Sequence, residues 1–226
     1  MMPSFDRQRT FYLALATLTA FAAPSRADDK ASFEVVFNGR DLAGWVVEGT
    51  SIRKEGEENV PVWTVADGEI RCGGGGFGFL RLDRSLCDFV FQAEIQLTPR
   101  ANSGLGIRTV PYRNVRQTRP SFAAYEIQLQ DDGANPPDSH SSGSLYRYVA
   151  PTASAMRPPG DWNSVEVRCT GPRIEVIING RQVQDVDQSK IVEIKDKPLC
   201  GYVCLQNHGS PVAFRNLRLR TIKAGK

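Results

Sequence analysis

The feature that most constrains this chain is the strict alternation of Phe89-Val90-Phe91-Gln92-Ala93-Glu94-Ile95-Gln96-Leu97. In an extended strand, Phe89, Phe91, Ala93, Ile95 and Leu97 share one face while Gln92, Glu94 and Gln96 share the other. A period of two is incompatible with an amphipathic helix, whose apolar face recurs about every 3.6 residues. Tyr125-Glu126-Ile127-Gln128-Leu129-Gln130 repeats the pattern, with Tyr125, Ile127 and Leu129 as core and Glu126, Gln128 and Gln130 as a second face. A merely solvated face mixes Lys, Thr, Ser and Glu, whereas one carboxylate and two amides suit a ligand rich in hydroxyls and carbonyls. The plainer alternative is the polar outer face of a sandwich strand.

Short strands separated by turn signals fill the rest of the chain. They are expected at 33–37, 63–65, 69–72, 79–82, 102–108, 144–148, 164–169, 173–178, 181–183, 201–206 and 212–220, with Asn38-Gly39, Asp67-Gly68 and Asn179-Gly180 as turns. Residues 48–60 are charged and read as a surface loop, and 131–143 is a long loop of Gly, Pro, Ser and Asp. Gly73-Gly74-Gly75-Gly76-Phe77-Gly78 lacks a Gly-Lys-Ser/Thr ending and runs into a strand, so it is a hairpin connection and not a phosphate loop. No internal repeat is visible, and no stretch beyond the first 27 residues has helical periodicity. The expectation is an all-β sandwich forming one domain over residues 28–226.

Residues 1–27 read as a signal peptide: Arg7 and Arg9 are followed by an apolar stretch from 11 to 23, and Ser25-Arg26-Ala27 supplies small residues for cleavage. A secreted or periplasmic location follows, with no integral span once the signal is removed. The net charge of +3, from 28 basic and 25 acidic residues, excludes a nucleic-acid partner. There are five cysteines, at 72, 87, 169, 200 and 204. Cys200 and Cys204 stand about 13 Å apart along one strand, too far to pair, so Cys72 with Cys87 across a hairpin is the expected bridge. Buried free thiols are the competing description.

Nine segments in fixed order carry a resemblance. They are Phe37-Asn38-Gly39-Arg40-Asp41-Leu42-Ala43-Gly44-Trp45, 63–68, 102–108, 125–132, Gly143-Ser144-Leu145-Tyr146, Trp162-Asn163, Asn179-Gly180, Leu205-Gln206-Asn207-His208-Gly209 and Phe214-Arg215-Asn216-Leu217. Together they resemble the 3-keto-disaccharide hydrolase family, also described as a 3-keto-glucoside 1,2-lyase and 3-keto-2-hydroxy-glucal hydratase domain. Two departures stand out: an arginine-rich segment, 113–119, and the 131–143 loop.

The resemblance implies a concanavalin A-like, jelly-roll β-sandwich and an enzyme that cleaves 3-keto-glycosides. A ketone at C3 acidifies the C2 proton, and the C1 oxygen then lies β to the carbonyl and is expelled by elimination. Such a site needs a base at C2, a cation or donor at the C3 oxygen, and a proton for the leaving group. Glu126 is the candidate base or proton donor, the alternative being a carboxylate that binds hydroxyls or pairs with Arg108. Arg108 would hold the enolate oxygen, with Gly104 and Gly106 on its face leaving room for a ligand, or else form a structural salt bridge. His208 suits general acid–base work. Gln128, Gln206 and Tyr146 fit hydroxyl recognition, and Asp131 is a further candidate ligand or a turn carboxylate. No cofactor is required. A divalent metal would find Glu126, Asp131 and His208 adequate donors, but the sequence has no compact ligand motif. A non-catalytic carbohydrate-binding or cell-surface interaction module is the alternative, since the fold also serves sugar-binding modules.

Overall fold

A computed structural model describes residues 32–133 and 135–222. The expected signal peptide, 1–27, lies outside the described residues. In chain order the strands are β1 (Glu34–Val35), β2 (Trp45–Gly49), β3 (Ile52–Glu55), β4 (Glu58–Pro61), β5 (Trp63–Ala66), β6 (Glu69–Cys72), β7 (Gly78–Leu82) and β8 (Phe89–Leu97). They continue as β9 (Asn102–Thr109), β10 (Tyr125–Gln130), β11 (Trp162–Thr170), β12 (Arg173–Ile178), β13 (Arg181–Asp187), β14 (Tyr202–Asn207) and β15 (Val212–Thr221). One helical turn, α1 (Pro120–Ala123), precedes β10.

Two antiparallel sheets form a jelly-roll sandwich. The larger runs β13-β12-β11-β8-β15-β6-β5, with β1 paired to β15, and the smaller runs β10-β9-β14-β7-β2. The alternation that marked β8 puts Phe89, Phe91, Ala93, Ile95 and Leu97 into the core, while Gln92, Glu94 and Gln96 are half-buried on the outer side. From the smaller sheet Tyr125, Ile127, Leu129, Leu105, Ile107, Val203 and Leu205 meet them. Burying about forty such side chains, at roughly 25 cal/mol per Å² of apolar surface, is the main force holding the sheets together. Among the described residues no helix is long and apolar enough to cross a membrane.

Three expectations need correction. Residues 48–60 are not a loop: β3 and β4 pair as a hairpin, Glu55 opposite Glu58, turning through Gly56 at φ +59°. The segment 144–148 is not a strand but a turn in which Leu145 makes isolated bridges to Ile127 and Val149. Its apolar residues anchor a loop onto the sheet without extending it.

The disulfide joins Cys87 to Cys200, 113 residues apart, and not to Cys72. Cys72 lies within β6, opposite Trp63 and Val212, with its thiol turned into the core. Cys87 instead lies in the turn before β8, where Leu86 and Gly201 exchange backbone hydrogen bonds of 2.7 and 2.9 Å and so bring the neighbouring cysteines together. Cys72, Cys169 and Cys204 remain as buried thiols. Burial pushes the Cys72 thiol up to about 11 and that of Cys169 to about 12.

Candidate active site

The outer face of the smaller sheet carries a cavity of about 360 Å³. Its floor is built by alternation. Glu126 and Gln128 of β10 point outward because Tyr125, Ile127 and Leu129 point inward, and Gln206 of β14 does the same opposite Leu205. The register places Glu126 beside Gly106 and Gln128 beside Gly104 on β9. A Cβ at Gly104 would come within 3.2 Å of the Glu126 Cγ, so the glycine leaves the carboxylate its place. The ligand space expected from the sequence at Gly106 is not there: its side-chain volume is taken by the Cys204 sulfur and the Pro120 ring.

One wall is the segment leading to β10. Pro120, whose fixed φ suits a first helical position, opens α1 and presents Arg119, Ser121 and Phe122 to the cavity. Lys197 fastens the turn from behind, its Nζ donating to the carbonyls of Phe122 (2.8 Å) and Ala124 (2.7 Å). Tyr146, Arg147 and His140 line the cavity as well, with Arg147 lying against Phe122, and Phe77 and His208 complete the lining.

Glu126 is 6% exposed, and its Oε1 accepts a 2.8 Å hydrogen bond from Nε2 of Gln206. Burial raises its pKa above the ordinary 4.5, against smaller lowering effects from Gln206, Ser121 and the charge of Arg119. Oε1 of Gln128, Oε1 of Gln206 and Nε of Arg119 are buried without a hydrogen-bond partner among the described residues. Each such group costs about 1 to 3 kcal/mol while it stays unpaired, and all three belong to residues that line the cavity. The guanidinium of Arg119 stacks 4.2 Å from the centre of the Phe77 ring, while those of Arg116 and Arg147 lie 4.4 and 4.3 Å from that of Phe122. His208 meets the Phe77 ring edge-on at 5.3 Å, and His140 meets Tyr146 at 5.0 Å.

Of the residues singled out from sequence, Glu126, Gln128, Tyr146, Gln206 and His208 converge. Arg108 does not. Its backbone is left-handed (φ +53°), and between Gly106 and Thr109 the strand carries one residue more than β14 does between Cys204 and Tyr202. This bulge breaks the alternation and turns the side chain away from the cavity. There Arg108 is fully buried and donates to the Cys87 carbonyl (3.0 and 3.2 Å) and to Asp88 (3.4 Å). Asp131 is also outside. It follows the end of β10, and its carboxylate accepts from the backbone N–H of Arg100 (2.9 Å), the turn-carboxylate alternative. The donor trio Glu126, Asp131 and His208 is therefore not assembled, and no group of three or more His, Cys, Asp or Glu suited to a metal occurs among the described residues.

Sequence reasoning missed Arg116, Arg119, Arg147, Phe77, Phe122 and His140. The excess of arginine at 113–119 was the trace of Arg116 and Arg119, and the 131–143 loop that of His140. Nothing periodic ties a loop residue to a distant strand.

A sequence profile of the 3-keto-alpha-glucoside-1,2-lyase-like domain matches residues 32–220. The chain belongs to this family. The 3-keto-disaccharide hydrolase of Bacteroides thetaiotaomicron is 22% identical over 254 residues, covering 93% of this chain and 84% of its own. A Parabacteroides distasonis structure provisionally assigned as a glycosyl hydrolase superposes with a TM-score of 0.71 at 23% identity, over 84% of this chain and 94% of that one. A Bacillus subtilis protein of galectin-like fold gives 0.55 at 10% identity, over 85% of this chain and 100% of that one. At these identities the structural likenesses show the fold alone, a sandwich shared with galectin-like proteins.

Proposed function

We propose that the protein is an exported carbohydrate-active enzyme that cleaves 3-keto-glycosides by C2-proton abstraction and elimination of the C1 substituent, followed by hydration. The observation that carries this reading is the Glu126 carboxyl: buried, of raised proton affinity, and flanked by unpaired amide and guanidinium groups in a sugar-sized cavity. Glu126 takes the C2 proton, and the C–H electron pair becomes the C2=C3 bond of an enolate. Arg119 replaces Arg108 as the cation that meets the negative oxygen at C3, since it lines the cavity and stacking on Phe77 holds its guanidinium in place before reaction. The enolate then collapses: the C3 carbonyl re-forms, a C1=C2 double bond appears, and the C1–O bond breaks. His208 or Tyr146 delivers the proton the departing oxygen needs. Addition of water across C1=C2 returns the C2 proton, so elimination and hydration sum to hydrolysis. The lyase-like name of the family and the hydrolase name of the Bacteroides relative then describe one sequence of steps.

Convergent charged groups favour an enzyme over a binding module, which would present exposed aromatics. Both cavity phenylalanines are instead half-covered and carry arginines. The 113–119 segment borders the Glu126 face without filling it, which weighs against a purely structural domain. Export rests on the sequence of residues 1–27 and agrees with a disulfide in the fold.

The test is incubation of the purified protein with a 3-keto-disaccharide in deuterated water. Aglycone release with deuterium at C2 is expected, and Glu126→Gln should lower kcat by about a hundredfold or more. Full turnover by that variant would refute the mechanism.

A further inference from the structure

The charge of the cavity is wrong for a neutral sugar alone. Arg116, Arg119 and Arg147 line it, and the one carboxyl there, Glu126, is of raised proton affinity. Elsewhere arginines take carboxylate partners, as Arg81 does with Glu48 and Arg215 with Glu94, both at 2.6 Å. None of the three cavity arginines ion-pairs with a carboxylate among the described residues, and rings hold them in place. Phe122 gathers the guanidiniums of both Arg116 and Arg147 on one side chain, so two like charges are kept close. Arg147 also adopts φ +76°, a left-handed backbone that a non-glycine residue takes at a cost. Arg119 is the arginine whose charge acts on Glu126, which leaves the exposed pair at the mouth without a task in proton transfer.

We propose that the cavity selects glycosides bearing an anionic group, a carboxylate or a sulfate ester, on the part of the substrate that does not react, and that Arg116 and Arg147 bind it. The assignment rests on the reading of this cavity as the glycoside-cleaving site. A guanidinium fork matches either oxyanion with two parallel N–H donors, and stacking on Phe122 orders the forks before the ligand arrives. A neutral sugar offers only weaker acceptors and leaves the two charges uncompensated.

Calorimetric titration separates the possibilities without relying on turnover. The probes are methyl glucoside, methyl glucuronide, glucose 6-sulfate and inorganic sulfate, titrated into wild type, Arg116→Gln/Arg147→Gln and Arg116→Lys/Arg147→Lys. One or both charged sugars should bind about tenfold or more tighter than methyl glucoside, the better of the two telling carboxylate from sulfate. The glutamine pair should erase the preference, and the lysine pair should keep part of it. Equal affinity for charged and neutral sugars overturns the proposal, as does a preference that survives in the glutamine pair. Inorganic sulfate binding as tightly as the charged sugars would mean an adventitious ion only. If the preference appears but 3-keto-glycosides of either charge are inert, cleavage fails as a reading and charge selection stands.

Discussion

Glu126 shows how one residue carries both function and instability. Its carboxyl binds a proton more tightly in the folded protein than in the unfolded chain, where the ordinary value is 4.5. Below pH 4.5 both states hold the proton and nothing is lost. As pH rises past 4.5 the unfolded chain releases it first, so folding stability falls until the folded carboxyl also ionises, and stays reduced above that. Glu126→Gln, which cannot ionise, should therefore raise the thermal midpoint at neutral pH, a gain that disappears well below pH 4.5 in a series of calorimetric scans. Gln206 acts in the opposite sense, because its amide bonds to the ionised form. Gln206→Leu should move the acid limb of the kcat/KM profile to higher pH, and an unmoved limb would dissociate that limb from Glu126. At this scale the sequence was informative wherever a residue obeyed a strand's period of two, as Glu126, Gln128 and Gln206 do. It misplaced Arg108 because counting alternate residues assumes a regular strand, and neither the bulge nor the left-handed φ has a signature in Gly-Ile-Arg-Thr.

Among the elements, α1 and its support decide whether the cavity has a wall. A four-residue turn has no stability of its own. It persists because Pro120 packs over Gly106 and because Lys197 bonds the carbonyl of Phe122 within it and that of Ala124 just after it. Lys197→Met should leave both carbonyls without that donor and cost about 1 to 3 kcal/mol in urea denaturation. It should also raise KM more than it lowers kcat, since Phe122 and the arginines stacked on it would drift while Glu126 stays on its strand. Gly106→Ala would drive a methyl group into the Cys204 sulfur and to 2.7 Å from the Pro120 ring, and overpacking of that kind costs about 1 to 3 kcal/mol. A variant as stable as wild type would mean that α1 moves aside, and activity would then fall in its place. Neither support was legible beforehand. Gly106 reads as a gap in a strand, and only the folded chain shows that a proline and a cysteine fill it.

For the whole molecule, period-two runs and turn dipeptides were enough to predict an all-β sandwich, and the family resemblance implied the jelly roll, but neither told which strands share a sheet. β8 lies between β11 and β15, and β14 between β9 and β7, partners far apart in the chain that local patterning cannot pair. The same long-range closure hid the disulfide, which links the turn entering β8 of the larger sheet to the turn entering β14 of the smaller one. Replacing both Cys87 and Cys200 by Ser should cost about 2 to 5 kcal/mol in urea denaturation, and reductant should then have no further effect. Synthesis presents the thiols in the order 72, 87, 169, 200 and 204, so Cys87 meets two wrong partners, Cys72 and Cys169, before the right one exists. An oxidising compartment that can close the native bridge can also close these, and the yield of native protein then depends on reshuffling. Packing is what ends the competition: once Cys72, Cys169 and Cys204 are buried and protonated they leave the exchange, and Cys87 and Cys200 stay paired because the finished sandwich gives them no one else to meet.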